Sequence, residues 1–143
     1  MTEVSFYTGV PERLAYVCRL LRKAQQSGAR VAVVGPAPLL DRLDKALWEF
    51  ESTEFVPHLC LRPGRQPASL ERTPILLTEQ AQAQPHREVL LNLGAAMPDG
   101  FEQFARVLEV VATDPEQVEA GRRRFKQYKQ LGHPVAHHVV SPA

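Results

Sequence analysis

No apolar run in this chain comes near the roughly 20 residues that a helix needs to cross a bilayer. The N-terminus lacks the basic start and apolar stretch of a signal peptide. A cytoplasmic protein without membrane contact is expected. Cysteine is scarce too: Cys18 falls in an apolar helical pattern, Cys60 in a strand-like run, and no CxxC pair exists. Both read as buried thiols, not as a disulfide or a zinc site. The stretch after Val34, where an α/β protein would cradle a phosphate, reads Gly35, Pro36, Ala37, Pro38, Leu39. It contains neither GxGxxG nor GxxxxGK[ST], and its two prolines remove amide donors, so no nucleotide cofactor is expected.

Catalytic and metal-binding constellations are missing in the same way. His133, His137 and His138 have metal-like spacing, but Pro134 interrupts them and no neighbouring acid completes a site. They read as a frayed terminus. His58 has no nearby serine or cysteine with a role as its nucleophile and reads as structural. No catalytic residue is assigned, and the chain is expected not to be an enzyme. Net charge is only +1, whereas coating a nucleic acid calls for a more basic protein. That small number hides an asymmetry. From residue 116 onward five basic residues (Arg122, Arg123, Arg124, Lys126, Lys129) face only Glu116 and Glu119. The positive charge sits near the C-terminus, which points to an acidic partner there.

What is present is an alternation of strand and helix signals over 143 residues, enough for one domain with a core of its own. Residues 4–8 read as a first strand. Pro11 is expected in the first turn of a helix that carries Leu14, Val17, Cys18, Leu21 and Ala24 on one side and stops at Gly28. Residues 30–35 form an apolar run of the kind covered on both faces of a sheet. A second helix covers about 38–50, and residues 62–69 form a loop rich in proline and glycine. Residues 74–78 and 88–93 are two more buried strands, joined by a polar connection at 79–85. That connection is too short for a crossover helix, so the sheet is expected to be mostly parallel or mixed. A short helix near 98–104 leads to a last strand at 106–111. Asp114, Pro115 and Glu116 then begin a final helix, ended by Gly132 and Pro134. The fold class is α/β: a single three-layer α/β/α Rossmann-like domain over 1–135, with 136–143 as a flexible tail.

Two stretches stand out as candidate surfaces. On a helical wheel Leu39, Leu43, Ala46, Leu47 and Phe50 share one apolar stripe, while Trp48 lands about 180° from Leu39. The only tryptophan therefore points away from the main core, either under the following loop or outward as an anchor for another protein. In the last helix Val118, Gly121, Phe125 and Tyr128 share a stripe, with Arg122, Lys126 and Lys129 beside it. This is either an amphipathic helix with a solvated basic face or a groove that takes an apolar side chain and a carboxylate together.

Leu43, Asp44, Ala46, Leu47 and Trp48, followed after a spacer by Phe55, Val56, Pro57 and His58, resemble the chi subunit of the bacterial DNA polymerase III holoenzyme. The likeness extends through Ser5, Phe6 and Tyr7 at the start, Gly28, Arg30, Val31 and Val33 after the first helix, and Arg122, Arg124, Phe125, Lys126 and Tyr128 near the end. The resemblance implies a non-catalytic accessory subunit of the clamp loader. Its implied partners are the psi subunit and the acidic C-terminal tail of single-stranded-DNA-binding protein, so it meets DNA only indirectly. By position Trp48 and Phe55, with Val56 and Pro57, match the psi-facing region. Val111, Arg122 and Phe125, with Arg123, Lys126 and Lys129 beside them, match the tail-binding region. Phe125 stands where the family has an aromatic with a hydroxyl, and the family's tail-binding lysine falls at Val118. Two other readings compete: a nucleotide-binding or hydrolytic enzyme of Rossmann-like fold, which lacks its phosphate loop here, and direct binding of single-stranded DNA by the basic helix.

Overall fold

A computed structural model of the chain describes residues 2–49, 58–60, 74–79 and 87–140. In order it contains β1 (Glu3–Val10), α1 (Arg13–Gln26), β2 (Val31–Val34), α2 (Ala37–Glu49), β3 (His58–Cys60), β4 (Ile75–Thr78) and β5 (Val89–Asn92). A 3₁₀ turn at Phe101–Gln103, β6 (Arg106–Ala112), α3 (Pro115–Gln130) and β7 (Val135–Val139) complete it. The short apolar runs became the central strands: every residue of β2, β4 and β5 is buried, because each strand is covered on both faces. The seven strands lie in the order β3-β4-β2-β5-β6-β1-β7.

Strand alternation divides the interior in two. Val31 and Val33 join Val17, Leu21, Leu43 and Leu47 in a cluster under α1 and α2. Ala32 and Val34 join Val4, Phe6, Phe101, Phe104 and Tyr128 in a second cluster under α3. Helices on both faces of one sheet make the three layers that the sequence pattern predicts.

Of the mostly parallel or mixed sheet expected, the parallel form is the one found, with no antiparallel pair among the described strands. Residues 79–88 join β4 to β5, which flank β2, and an extended chain of that length reaches about 33 Å. Passing over one neighbour therefore needs no crossover helix. The flexible tail expected from residue 136 is largely replaced by β7, which pairs with β1 from Val4↔Val135 to Thr8↔Val139. Its residues carry little apolar signal of their own; β1's free edge supplies the ladder. Pro11, finally, lies one residue ahead of the helix cap Glu12 instead of in the first turn. The loop at 62–69 and most of the polar connection fall outside the described residues.

Both ends of α3 are set by local chemistry. Asp114 caps it by accepting from the Gln117 amide at 3.1 Å, and Pro115 occupies the first turn. At the far end Gly132, at φ +87°, adopts the left-handed turn that feeds the chain into β7. Replacing the cap, Asp114→Ala, is expected to lower stability by about 1 kcal/mol. A urea titration checks this: the midpoint falls while the slope stays constant, and an unmoved midpoint would show that the cap contributes nothing.

Candidate partner-binding surfaces

The site on α3 begins with how closely that helix lies on the sheet. A Cβ added at Gly121 would stand 2.9 Å from a Val111 methyl, so only glycine lets the helix come down on β6 at that point. The contact borders an opening between the helix and the sheet. A cavity of about 410 Å³ forms there, with Phe6, Val111, Val118 and Phe125 as apolar lining and Arg122 and Lys126 at its mouth. Phe125 packs edge-on against Phe6 at 5.2 Å between ring centroids and against His137 at 6.1 Å. The Lys129 ammonium lies 5.1 Å over the Phe125 ring, and Thr8 Oγ1 and His137 Nε2 are 2.6 Å apart at the β7 side.

Of the residues singled out in the sequence, Val111, Arg122, Phe125 and Lys126 thus come together around one slot, and Val118 shares it. Lys129 covers the slot's aromatic wall from outside. Arg123 is turned elsewhere: it is exposed and paired with Glu119 one turn back, at 3.3 Å. Sequence reading missed Phe6, Thr8 and His137, which line the slot from β1 and β7.

It also missed what holds the helix in place. Glu109, in the middle of β6, is fully buried. Its carboxylate accepts from Arg124 Nε at 3.0 Å, Asn92 Nδ2 at 2.9 Å and the Tyr128 hydroxyl at 2.7 Å. Arg124, itself 4% exposed, also donates to the Ala95 carbonyl at 2.9 Å. Burial pushes the Glu109 carboxyl up; the Arg124 charge and the hydrogen bonds from Asn92, Tyr128 and Arg124 oppose it. Burial and the neighbouring Glu109 push the Tyr128 hydroxyl up as well, so it stays a donor. The three groups aimed at Glu109 are donors, which suits an ionised carboxylate.

The second surface is on α2, in the opposite layer. Leu40, Leu43 and Leu47 are buried against the sheet, while Trp48 is 62% exposed, on the side that helical spacing assigns to it. Its ring meets His58 edge-on at 5.3 Å between centroids, and His58 Nε2 lies 2.9 Å from Asp44 Oδ1, one turn earlier on α2. Phe55, Val56 and Pro57, expected beside Trp48, lie outside the described residues, as does Phe50. Cys18 is buried, with its thiol pushed up to about 11 by burial, and Cys60 is half-buried; the two are thiols and form no disulfide with each other. A further crevice of about 420 Å³ opens at the carboxyl ends of the central strands, where doubly wound folds hold ligands. Its described lining includes Glu79 and Asp99 and no basic side chain, an unsuitable environment for a nucleotide phosphate.

Fold and surfaces together define a three-layer α/β protein with a cation-rimmed apolar slot on one face and an exposed indole on the other. The chain belongs to the family described as DNA polymerase III chi subunit, HolC, whose model matches residues 1–136. It is thus an accessory subunit of the DNA polymerase III assembly. It is 31% identical over 144 residues to DNA polymerase III subunit chi of Pseudomonas aeruginosa, covering 96% of both chains. To the subunit of that name from Escherichia coli it is 28% identical over 118 residues, covering 81% of this chain and 78% of that one. The fold is also similar to a solved structure described as Mss116p DEAD-box helicase domain 2 bound to an RNA duplex. The TM-score is 0.61 at 9% identity, over 97% of this chain and 64% of that one. At such identity the likeness concerns the fold alone.

Because Glu109 is satisfied by α3, removing its cation strands a buried charge. Arg124→Met is expected to cost about 3–5 kcal/mol, and adding Glu109→Leu to recover most of it. Thermal or chemical unfolding of the two variants reads this directly. A single variant as stable as the parent would mean that the ion pair does not hold the helix.

Proposed function

We propose that the α3 slot receives the acidic C-terminal tail of single-stranded-DNA-binding protein, linking that protein to the polymerase assembly, and that Trp48 anchors a second clamp-loader subunit of the psi type. The observation that supports the first part most is the pairing of an apolar slot large enough for an aromatic side chain with Arg122 and Lys126 at its mouth. A chain end that carries an apolar side chain and its own carboxylate needs both. Arg122 can take the carboxylate in two-pronged fashion, which a lysine does less well. Lys126, on the same rim, supplies a cation in a slot where Val118 stands at the family's lysine position. Lys129 and Arg123 are exposed and serve to steer the acidic stretch more than to hold it. The second part rests on the exposed indole, held edge-on by His58. The reading makes this chain a non-catalytic adaptor that meets DNA only through its partner.

Titration with a tail peptide and with the same peptide amidated at its C-terminus tests the slot. Arg122→Ala is expected to weaken the free-acid peptide by about 2 kcal/mol or more. Lys129→Ala should chiefly slow association and flatten its salt dependence. Equal binding of the acid and amide forms would rule out the carboxylate clamp, and no binding of either would remove the tail reading.

The indole is tested separately. Trp48→Ala is expected to leave melting nearly unchanged and to weaken the clamp-loader partner by about 2 kcal/mol or more. A folded variant that retains full affinity would show that Trp48 is no anchor.

A further inference from the structure

The slot's outer wall is an open sheet edge. β7 is the last strand of the sheet, and among the described residues no strand pairs with its outer side; four of its five residues are exposed. In the parallel ladder Val4 N–H donates to the Pro134 carbonyl at 2.9 Å and Val140 N–H to the Thr8 carbonyl at 2.8 Å. With the register Val4↔Val135, Phe6↔His137, Thr8↔Val139, the even-numbered residues of β7 bond to β1. The amides and carbonyls of Val135, His137 and Val139 therefore point outward. Natural edges are guarded by lysines, prolines or bulges; β7 has none of these within Val135–Val139 and exposes 75% of Val139.

The side chains of those same three residues lie on the α3 face, where Val135 packs against the second cluster and His137 lines the slot. A strand added to this edge would carry alternate side chains beneath the side of α3 that bears Arg122, Lys126 and Lys129. That arrangement selects an extended acidic chain. Single-stranded DNA meets the cations equally well but has no main-chain ladder to offer.

We infer that β7 is a β-augmentation edge, on which an acidic peptide whose end fills the slot lies as an eighth strand. Main-chain hydrogen bonds to His137 and Val139 supply affinity, and alternate acidic side chains meet the α3 cations. The inference rests on the slot reading above, and adds to it how the upstream part of the peptide is held.

The probe is a synthetic aspartate-rich peptide ending in an aromatic residue with a free carboxylate, N-methylated at one upstream position at a time. Strand addition gives a period of two: methylation at alternate positions lowers affinity about fivefold to tenfold, and the intervening positions bind as the parent does. On the protein side Val139→Pro removes only an outward amide, which an edge strand tolerates. It is expected to lower affinity about fivefold to tenfold with melting preserved, while Val139→Ala, which keeps the amide, binds as the parent does. Uniform or absent methylation effects, or a Val139→Pro variant of full affinity, would overturn the inference and leave the slot reading standing. A peptide that binds no form of the protein removes both. A dimer in light scattering that Val139→Pro dissolves would assign the edge to a second copy and overturn the peptide as its occupant.

Discussion

A single carboxylate without access to water governs how this molecule is put together. Taking Glu109 out of solvent costs several kcal/mol unless donors surround it. Those donors come from β5 through Asn92 and from α3 through Arg124 and Tyr128. Because Arg124 and Tyr128 are one helical turn apart, they fix both the rotation of α3 and its position along its axis. Arg124 also reaches the Ala95 carbonyl and so ties in the loop after β5. With the helix held in that rotation, Gly121 falls over Val111, Phe125 falls over Phe6, and Arg122 and Lys126 come to the mouth of the slot. A helix turned by one residue would bury Arg122 or Phe125 differently and would also leave Glu109 without its cation. The slot's geometry is thus a consequence of a charge that solvent does not reach.

Much of the fold was legible because its signals are local. The apolar runs at β2, β4 and β5 are what a strand covered on both faces requires, and the Asp114–Pro115 start of α3 is capping chemistry written in two residues. β7 was not legible, since two of its five residues are histidines and four are exposed; its strand character comes from β1 alongside. The parallel course of β4 and β5 was obscured by a rule about helical crossovers that a connection over a single neighbour does not have to obey.

The candidate site divides in the same way. Its α3 half was visible as stripes at helical spacing, so Val118, Arg122, Phe125 and Lys126 could be grouped from the sequence. Its sheet half was not, because Thr8 and His137 are brought together from opposite ends of the chain by the β1–β7 ladder. One signal was available and unused: Glu109 is a lone charge inside the apolar run of β6. Such a residue must have a buried cation or protonate, and with β6 feeding directly into α3 one of its three successive arginines was the natural source. Counting Arg122, Arg123 and Arg124 together in one charge balance concealed that their places differ: one lies at the slot, one pairs with Glu119 in solvent, and one is interior.

The two surfaces belong to different layers, and that has an energetic consequence. Trp48 projects from a helix whose buried side lies in the first apolar cluster, whereas the slot is bounded by members of the second. The sheet between them is stitched by parallel ladders and close-packed on both sides, so it transmits little displacement without breaking backbone bonds. Groups that share no partner and lie on opposite sides of such a sheet contribute to binding nearly additively. On the proposed reading, a tail seated at α3 and a subunit seated at α2 would each bind with an affinity independent of the other. Their joint strength would then come from tethering, through the high effective concentration of two sites on one rigid body. An adaptor of this kind needs no conformational switch. It needs a stiff spacer with unlike faces, and a parallel sheet between two helical layers is one.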